Sequence, residues 1–360
     1  MIDSQPTHTT LTATPETETD RKRQELTRLI FQGVVLALVI GLAATYRLYN
    51  LTEVGYNSDE AVYSGQAAAI AKVPILTEHF PIFRAHPLLF QFALAVVYTF
   101  GANEWLGRAL SAFIGIATVL LTYALGKRLY GFQVGVLAAL FLALMPYHVV
   151  PTRQVLLDGS MTFAATLTLF LLARFSATER PILLYAAGAA MGLTVLAKET
   201  GILMVGAIYA FIALTPKVRV RLTDLIVSLF TMGLVVAVYP LSVSLAGGGG
   251  GGKTQQYLVW QLFRRPNHTW DFYPTVVPPA MGFLVIAAAL VGLWLLRSEN
   301  SWREKLLFLW ILVPVAFFQL WPTKGFQYLL PAAAPMAILA ARTLTLWPRK
   351  PLRLGQFKVP

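Results

Sequence analysis

Four stretches of this 360-residue chain, Leu29 to Tyr49, Leu106 to Leu125, Leu225 to Leu245 and Thr275 to Leu296, are apolar over roughly 20 residues each. Wound as helices, runs of that length span the roughly 30 Å of hydrocarbon in a bilayer. Composition agrees: charged residues make up 13% of the chain, against about 25% in an ordinary soluble domain. The expected fold is all-α, a polytopic membrane helical bundle. The first 28 residues are polar and Thr-rich and end in Arg21-Lys22-Arg23 and Arg28, with no small-residue cleavage signature after the first apolar run. They are read as a disordered cytoplasmic tail, 1–28, before an uncleaved first helix. The formal charge of +12 does not form one patch; Lys and Arg recur at the ends of apolar runs, so topology accounts for most of it and nucleic acid is not an expected partner. Cysteine is absent, which excludes disulfides, a thiol nucleophile and Cys-based metal sites.

With the basic N-terminus inside, the sequence divides into ten crossings at about 29–49, 105–126, 132–150, 157–175, 181–197, 201–215, 222–244, 275–296, 305–321 and 328–346. Nineteen of the 29 Lys and Arg then fall inside; ten fall outside, beside eight acids. His86 to Phe100 is apolar but short for a crossing, and charge parity favours a juxtamembrane helix there. The long outer loops are 50–104 and 246–274, the latter holding the run Gly247 to Gly252, read as a flexible tether. A shorter outer segment covers Tyr147 to Asp158, and 347–360 is read as a cytoplasmic tail. No period of 20–50 residues repeats.

The polar residues that stand out gather on the outer side. Tyr56-Asn57-Ser58-Asp59-Glu60-Ala61-Val62-Tyr63 follows the first helix, with Ser58 as N-cap and an acidic first turn, a pattern that the helix dipole alone also favours. Arg84-Ala85-His86-Pro87 precedes the short apolar helix, and its cation and imidazole could equally be interfacial anchors. Arg108 lies about one turn inside a spanning helix, where a guanidinium needs a carboxylate or phosphate partner. Arg153 and Asp158 bracket the next helix start, where Asp158 reads as an N-cap. Lys198-Glu199-Thr200-Gly201 interrupts an apolar stretch, a costly placement unless the charges are used or solvated. In the third loop Trp260, Phe263-Arg264-Arg265, His268, Trp270-Asp271 and Tyr273 read first as an interfacial belt and second as a cover for a cavity. The Asn267-His268-Thr269 sequon is read as coincidental. Lys324 faces the same side.

Taken in order, these signals make the chain resemble the membrane-embedded GT-C glycosyltransferases that use polyprenyl-phosphate sugars, the superfamily of protein O-mannosyltransferases and the lipid A aminoarabinose transferase. The resemblance covers roughly 29–215 in motif order and 216–346 in general helix pattern. It implies a GT-C-like catalytic membrane module at 29–215 with further helices at 216–346. It also implies Asp59 as catalytic base with Glu60 beside it, and Asp158 as a second acid in the cavity. Donor phosphate would meet His86 and Lys198, with Arg84 and Arg153 as neighbours, and Arg108, Tyr63 and Lys324 in support. The chain departs from relatives that place an acid or Lys before the proline, having Ala85-His86, which weakens the case for a metal ligand at that point. Asp59, Glu60 and Asp158 are the candidate ligands for a divalent metal, and no other cofactor is implied.

Such residues suit transfer of a sugar from a lipid-anchored donor to an acceptor hydroxyl on a protein, lipid or glycan. A carboxylate takes the acceptor proton in a single inverting displacement, and fixed cations stabilise the departing phosphate. The expected location is the cell membrane, multi-pass, with the site on the extracytoplasmic face. No phosphate-cradling glycine loop is present, which a membrane-anchored donor would not need. The alternatives are a flippase or transporter for a lipid-linked saccharide or anionic lipid, which needs access from both faces, and a non-catalytic membrane subunit.

Overall fold

The computed structural model describes residues 18–79, 86–245, 256, 259–260, 263–346, 353–354 and 357–358. Arg84, the glycine run, residues 1–17 and most of 347–360 lie outside them. Residues up to Leu38 group as one unit and Val39 onward as a second. Helix α1 (Glu18–Leu48) starts well before the apolar run. The expected tail is therefore helical from Glu18. The polar stretch 18–28 contains no Gly or Pro to stop a helix, and Lys22 pairs with Glu18 one turn away at 2.7 Å, as i,i+4 pairs do.

The second unit is a helical membrane bundle. After α1 come α2 (Ser58–Ile70), α3 (Leu76–His79), α4 (Leu89–Tyr98), α5 (Glu104–Tyr130), α6 (Phe132–Leu144), α7 (Pro146–Val149) and α8 (Leu157–Thr178). Then follow α9 (Pro181–Ala197), α10 (Leu203–Leu214), α11 (Leu222–Leu245), α12 (Phe272–Met281), α13 (Phe283–Leu296), α14 (Trp302–Leu320) and α15 (Ala333–Leu346). Tight 3-10 turns at Glu199–Ile202 and Phe326–Ala332 lead into α10 and α15. A two-residue ladder pairs Arg353–Leu354 with Phe357–Lys358. Five helices among the described residues are long and apolar enough to cross a membrane, or up to seven if each of two bent pairs is one span.

Each of the ten segments expected to cross is helical, but those at 181–197 and 201–215 hold shorter apolar helices that fall below the length of a span, and two others are bent. The 132–150 segment turns by 66° where α6 gives way to Pro146, whose ring supplies no N–H. The 275–296 segment breaks into α12 and α13 at 98°. Pro278 and Pro279 remove two donors there, and Gly282 takes φ +95°, a left-handed value that glycine tolerates. Helix α4, at ten residues, rises about 15 Å, half of the hydrocarbon thickness, as a juxtamembrane element would. It packs with α2 in a small core of Ala67, Ala68, Phe90, Leu94, Ala95 and Tyr98, joined by Val155 and Leu157. That core fixes α2 over the ends of α5 and α8.

Close helix packing rests on glycine at α9 against α11. A Cβ at Gly188 would collide with the Ser228 carbonyl oxygen, the Ser228 hydroxyl and the Thr231 hydroxyl, and one at Gly192 would meet Val235 and Met232. Gly188→Ala is therefore expected to destabilise the bundle by about 1–3 kcal/mol through overpacking, read as earlier thermal unfolding in detergent. An unchanged unfolding profile would mean that α9 and α11 are not in this contact.

Candidate active site

Helix α2 begins at a capping box. The Asn57 side chain accepts from Glu60 N at 3.0 Å, and Glu60 Oε2 accepts from Asn57 N at 3.2 Å. The N-cap is Asn57, one residue before the expected Ser58, because its amide oxygen reaches the third residue on. Consecutive helical residues diverge by about 100°, so Asp59 and Glu60 face different surroundings. Glu60 is buried, 1% exposed. Its Oε1 accepts from Arg108 Nε at 2.8 Å and from Val155 N at 3.0 Å, and its Oε2 from Arg108 at 2.9 Å. Arg108 also pairs with Glu104 at 2.7 Å and donates to the Leu51, Val54 and Gly55 carbonyls. The carboxylate partner expected for Arg108 is thus in place, and the pair ties the start of α2 to α5 and to the segment before α8.

Asp59 is exposed and lines a cavity of about 730 Å³. It makes no hydrogen bond or ion pair with any described residue. Tyr63, one turn on, lines the same cavity and meets His86 edge-on, ring centroids 6.1 Å apart. His86 lines it as well, with Nδ1 2.7 Å from Glu199 Oε2. The helix break between α9 and α10 supplies Lys198, Glu199 and Thr200 to the wall. Lys198 is 6% exposed, and its Nζ donates to both oxygens of Asp158 at 2.8 and 2.9 Å. Burial by itself lowers a lysine, but the Asp158 carboxylate outweighs it and holds the Lys198 ammonium above the ordinary lysine range. A fixed cation therefore shares a cavity with a carboxylate that no described residue pairs.

Other expected site residues sit elsewhere. Asp158 is not the N-cap of α8; Leu156 occupies that position without a side-chain cap, and Asp158 lies in the first turn, 2% exposed, behind Lys198. Arg153 turns to α1, donating to the carbonyls of Tyr46, Tyr49 and Asn50 at 2.6, 2.7 and 3.1 Å, where the unpaired carbonyls of a helix end attract a cation. Arg84 lies outside the described residues. Pro87 precedes α4 by two residues and does not start it. Lys324 lines the cavity but its Nζ is given to the carbonyls at the end of α14: Phe318 at 3.3, Gln319 at 2.8 and Trp321 at 3.2 Å. As for a metal, Glu60 and Asp158 are each committed to a cation. Among the described residues no group of three or more His, Asp and Glu is placed to hold an ion, so the proposed ligand set does not assemble.

Several wall residues carried no sequence assignment as site residues. Glu199 is the anchor of His86. Arg264 and Asn267 bring the third loop to the cavity, where the expectation was chiefly an interfacial belt. The Asn267 amide exchanges two hydrogen bonds with the Lys324 backbone, accepting from N at 2.8 Å and donating to O at 2.9 Å. Tyr328 and Gln327 complete the polar wall; Val195, Ile202, Leu203, Phe317, Phe318 and Trp321 form an apolar one. Arg47 is fully buried and binds the Leu142 and Ala143 carbonyls at the end of α6 and His148 Nδ1 at 2.8 Å, a brace for the bend there.

A family model described as dolichyl-phosphate-mannose-protein mannosyltransferase matches residues 85–243. No curated protein matches the chain. Among solved structures, ArnT from Cupriavidus metallidurans bound to undecaprenyl phosphate superposes with a TM-score of 0.74 at 17% identity, covering 86% of this chain and 60% of that one. The chain has the GT-C fold. The archaeal oligosaccharyltransferase AglB from Archaeoglobus fulgidus, in complex with an inhibitory peptide and a dolichol-phosphate, gives 0.59 at 14% identity, over 89% of this chain and 51% of that one. Arabinosyltransferase EmbB from Mycobacterium smegmatis gives 0.58 at 18%, over 87% and 30%. The chain thus spans 60% or less of these GT-C proteins.

Proposed function

We propose that the chain is an integral-membrane glycosyltransferase that moves a sugar from a polyprenyl-phosphate donor to an acceptor hydroxyl on the extracytoplasmic face of the cell membrane. The observation that carries this is the Asp59 carboxylate, unpaired among the described residues, lining one cavity with Lys198, which is held in place by Asp158. Two GT-C structures hold a polyprenyl phosphate, undecaprenyl phosphate in ArnT and dolichol-phosphate in AglB, which supports the donor class. Asp59 accepts the proton of the acceptor hydroxyl while the hydroxyl oxygen attacks the anomeric carbon. The bond from that carbon to the phosphate oxygen breaks, both of its electrons leave with the lipid phosphate, and the configuration inverts. Lys198, with His86 beside it, stabilises the charge gathering on the phosphate. The apolar wall of Val195, Leu203, Phe317 and Trp321 suits the first isoprene units. The acceptor is an alcohol of a protein, lipid or glycan.

The deciding experiment supplies the full chain in lipid nanodiscs with a panel of polyprenyl-phosphate sugars and acceptors and follows transfer and product anomer. An inverted glycoside is expected. Failure with every donor, together with movement of a lipid-linked saccharide between vesicle leaflets, would replace the enzyme with a flippase. Sidedness has its own test. Because the native chain lacks cysteine, a single Ala102→Cys variant between α4 and α5 is expected to react with an impermeant maleimide from outside intact cells. Labelling confined to opened cells would put the site on the cytoplasmic face.

A further inference from the structure

An ammonium has three N–H bonds, and Lys198 spends two on Asp158. Facing its Nζ on the cavity side is the ring of Tyr328, centroid 4.9 Å away. A π face attracts a desolvated ammonium but competes for an N–H far less strongly than a carboxylate. The ring is itself held in place. Phe318 lies beside it, centroids 5.0 Å apart, and Tyr147 donates to the Phe326 carbonyl at 2.6 Å, fixing the turn that carries it. Gly325 leaves the room: a Cβ there would fall 2.8 to 3.0 Å from three carbons of the Tyr328 ring. The backbone at Gly325, φ −138° and ψ 139°, is extended and open to any residue, so glycine is needed at this position for space and not for conformation.

We infer that Tyr328 is a positioning residue for Lys198: its ring face holds the ammonium with one N–H turned into the cavity, where an arriving phosphate oxygen takes it over. The inference rests on the reading of Lys198 as a donor-phosphate ligand. Without the ring, the third N–H turns toward the neighbouring Glu199 carboxylate, already on the same wall, and the phosphate has to compete with a second carboxylate. The ring does this work, and the phenol hydroxyl does not.

The test measures the Kd of undecaprenyl phosphate for the full chain in detergent, with thermal unfolding recorded for each variant. Tyr328→Phe is expected to bind within two-fold of the native chain, and Tyr328→Leu about ten-fold more weakly. Gly325→Ala, which pushes the ring aside, is expected to weaken binding in the native background and to change it little in the Tyr328→Leu background. A purely structural role would make the two losses add. Native-like binding by Tyr328→Leu, equal losses for Phe and Leu, or additive losses would each overturn the inference. Lys198→Met separates this from the underlying reading. If that variant binds like the native chain, the role of Lys198 itself falls; if it loses binding while Tyr328→Leu keeps it, only the role of Tyr328 falls.

Discussion

If Asp59 is the base we propose, sugar transfer by the Asp59→Asn variant is expected to fall by roughly 100- to 10,000-fold, the range that a positioned general base contributes, while the protein inserts and unfolds like the native chain. Asparagine keeps the shape and cannot take the acceptor proton. The adjacent acid cannot stand in. Glu60 is buried, and both its oxygens are occupied by Arg108, Val155 N and Asn57 N. Because Asp59 makes no hydrogen bond or ion pair with a described residue, its amide replacement removes no structural contact among them. The loss should therefore appear in the chemical step and not in stability. The measurement is a single-turnover transfer assay with purified full-length protein alongside its melting curve. Near-native transfer would eliminate Asp59 as the base. A lowered melting temperature would show that the side chain also holds the fold.

Arg108→Met produces the opposite pattern, a large loss of stability at a residue outside the cavity. Removing one member of a buried ion pair leaves its partner charged and unpaired, at about 3–5 kcal/mol. Here the abandoned group is Glu60, 1% exposed, and the Leu51, Val54 and Gly55 carbonyls lose their donor as well. The first loop should loosen, and α2 should lose its seat. Adding Glu60→Gln to Arg108→Met neutralises the stranded carboxylate, so the double variant should regain part of the loss. Thermal unfolding in detergent checks both. Equal stability of Arg108→Met and the native chain would mean that the pair is solvated in the membrane.

The apolar runs made the helical membrane architecture legible because length and hydropathy are local properties. The bends were less so. Pro278, Pro279 and Gly282 were visible, but the summed apolar length of 275–296 spoke for one straight crossing. In the site, Asp59, His86 and Lys198 line one cavity, and each is conspicuous in the sequence against its own surroundings. Asp158 and Arg153 were read by their chain neighbours, as a cap and a bracket. Their roles depend on partners far away in sequence, Lys198 forty residues on and the end of α1 more than a hundred residues back. Glu199 escaped for the same reason, because His86 lies 113 positions earlier. The third loop escaped because aromatics and arginines at a bilayer surface have the same composition whether they face lipid or a cavity. One signal could have found Tyr328: a glycine three residues earlier, in a stretch where nothing else required one.

The cavity draws its walls from distant parts of the chain, Asp59, Tyr63, His86 and residues within 195–203 early in it and residues within 264–267 and 317–328 late in it. Chains are made from the N-terminus, at about 5–20 residues per second. A nascent chain that has emitted Asp59, His86 and Lys198 still lacks the wall formed by 317–328, and for several seconds it holds these side chains without an enclosure around them. Competence therefore arrives with the last helices. A ribosome that stops before α14 releases a chain that can occupy the bilayer but has no closed cavity.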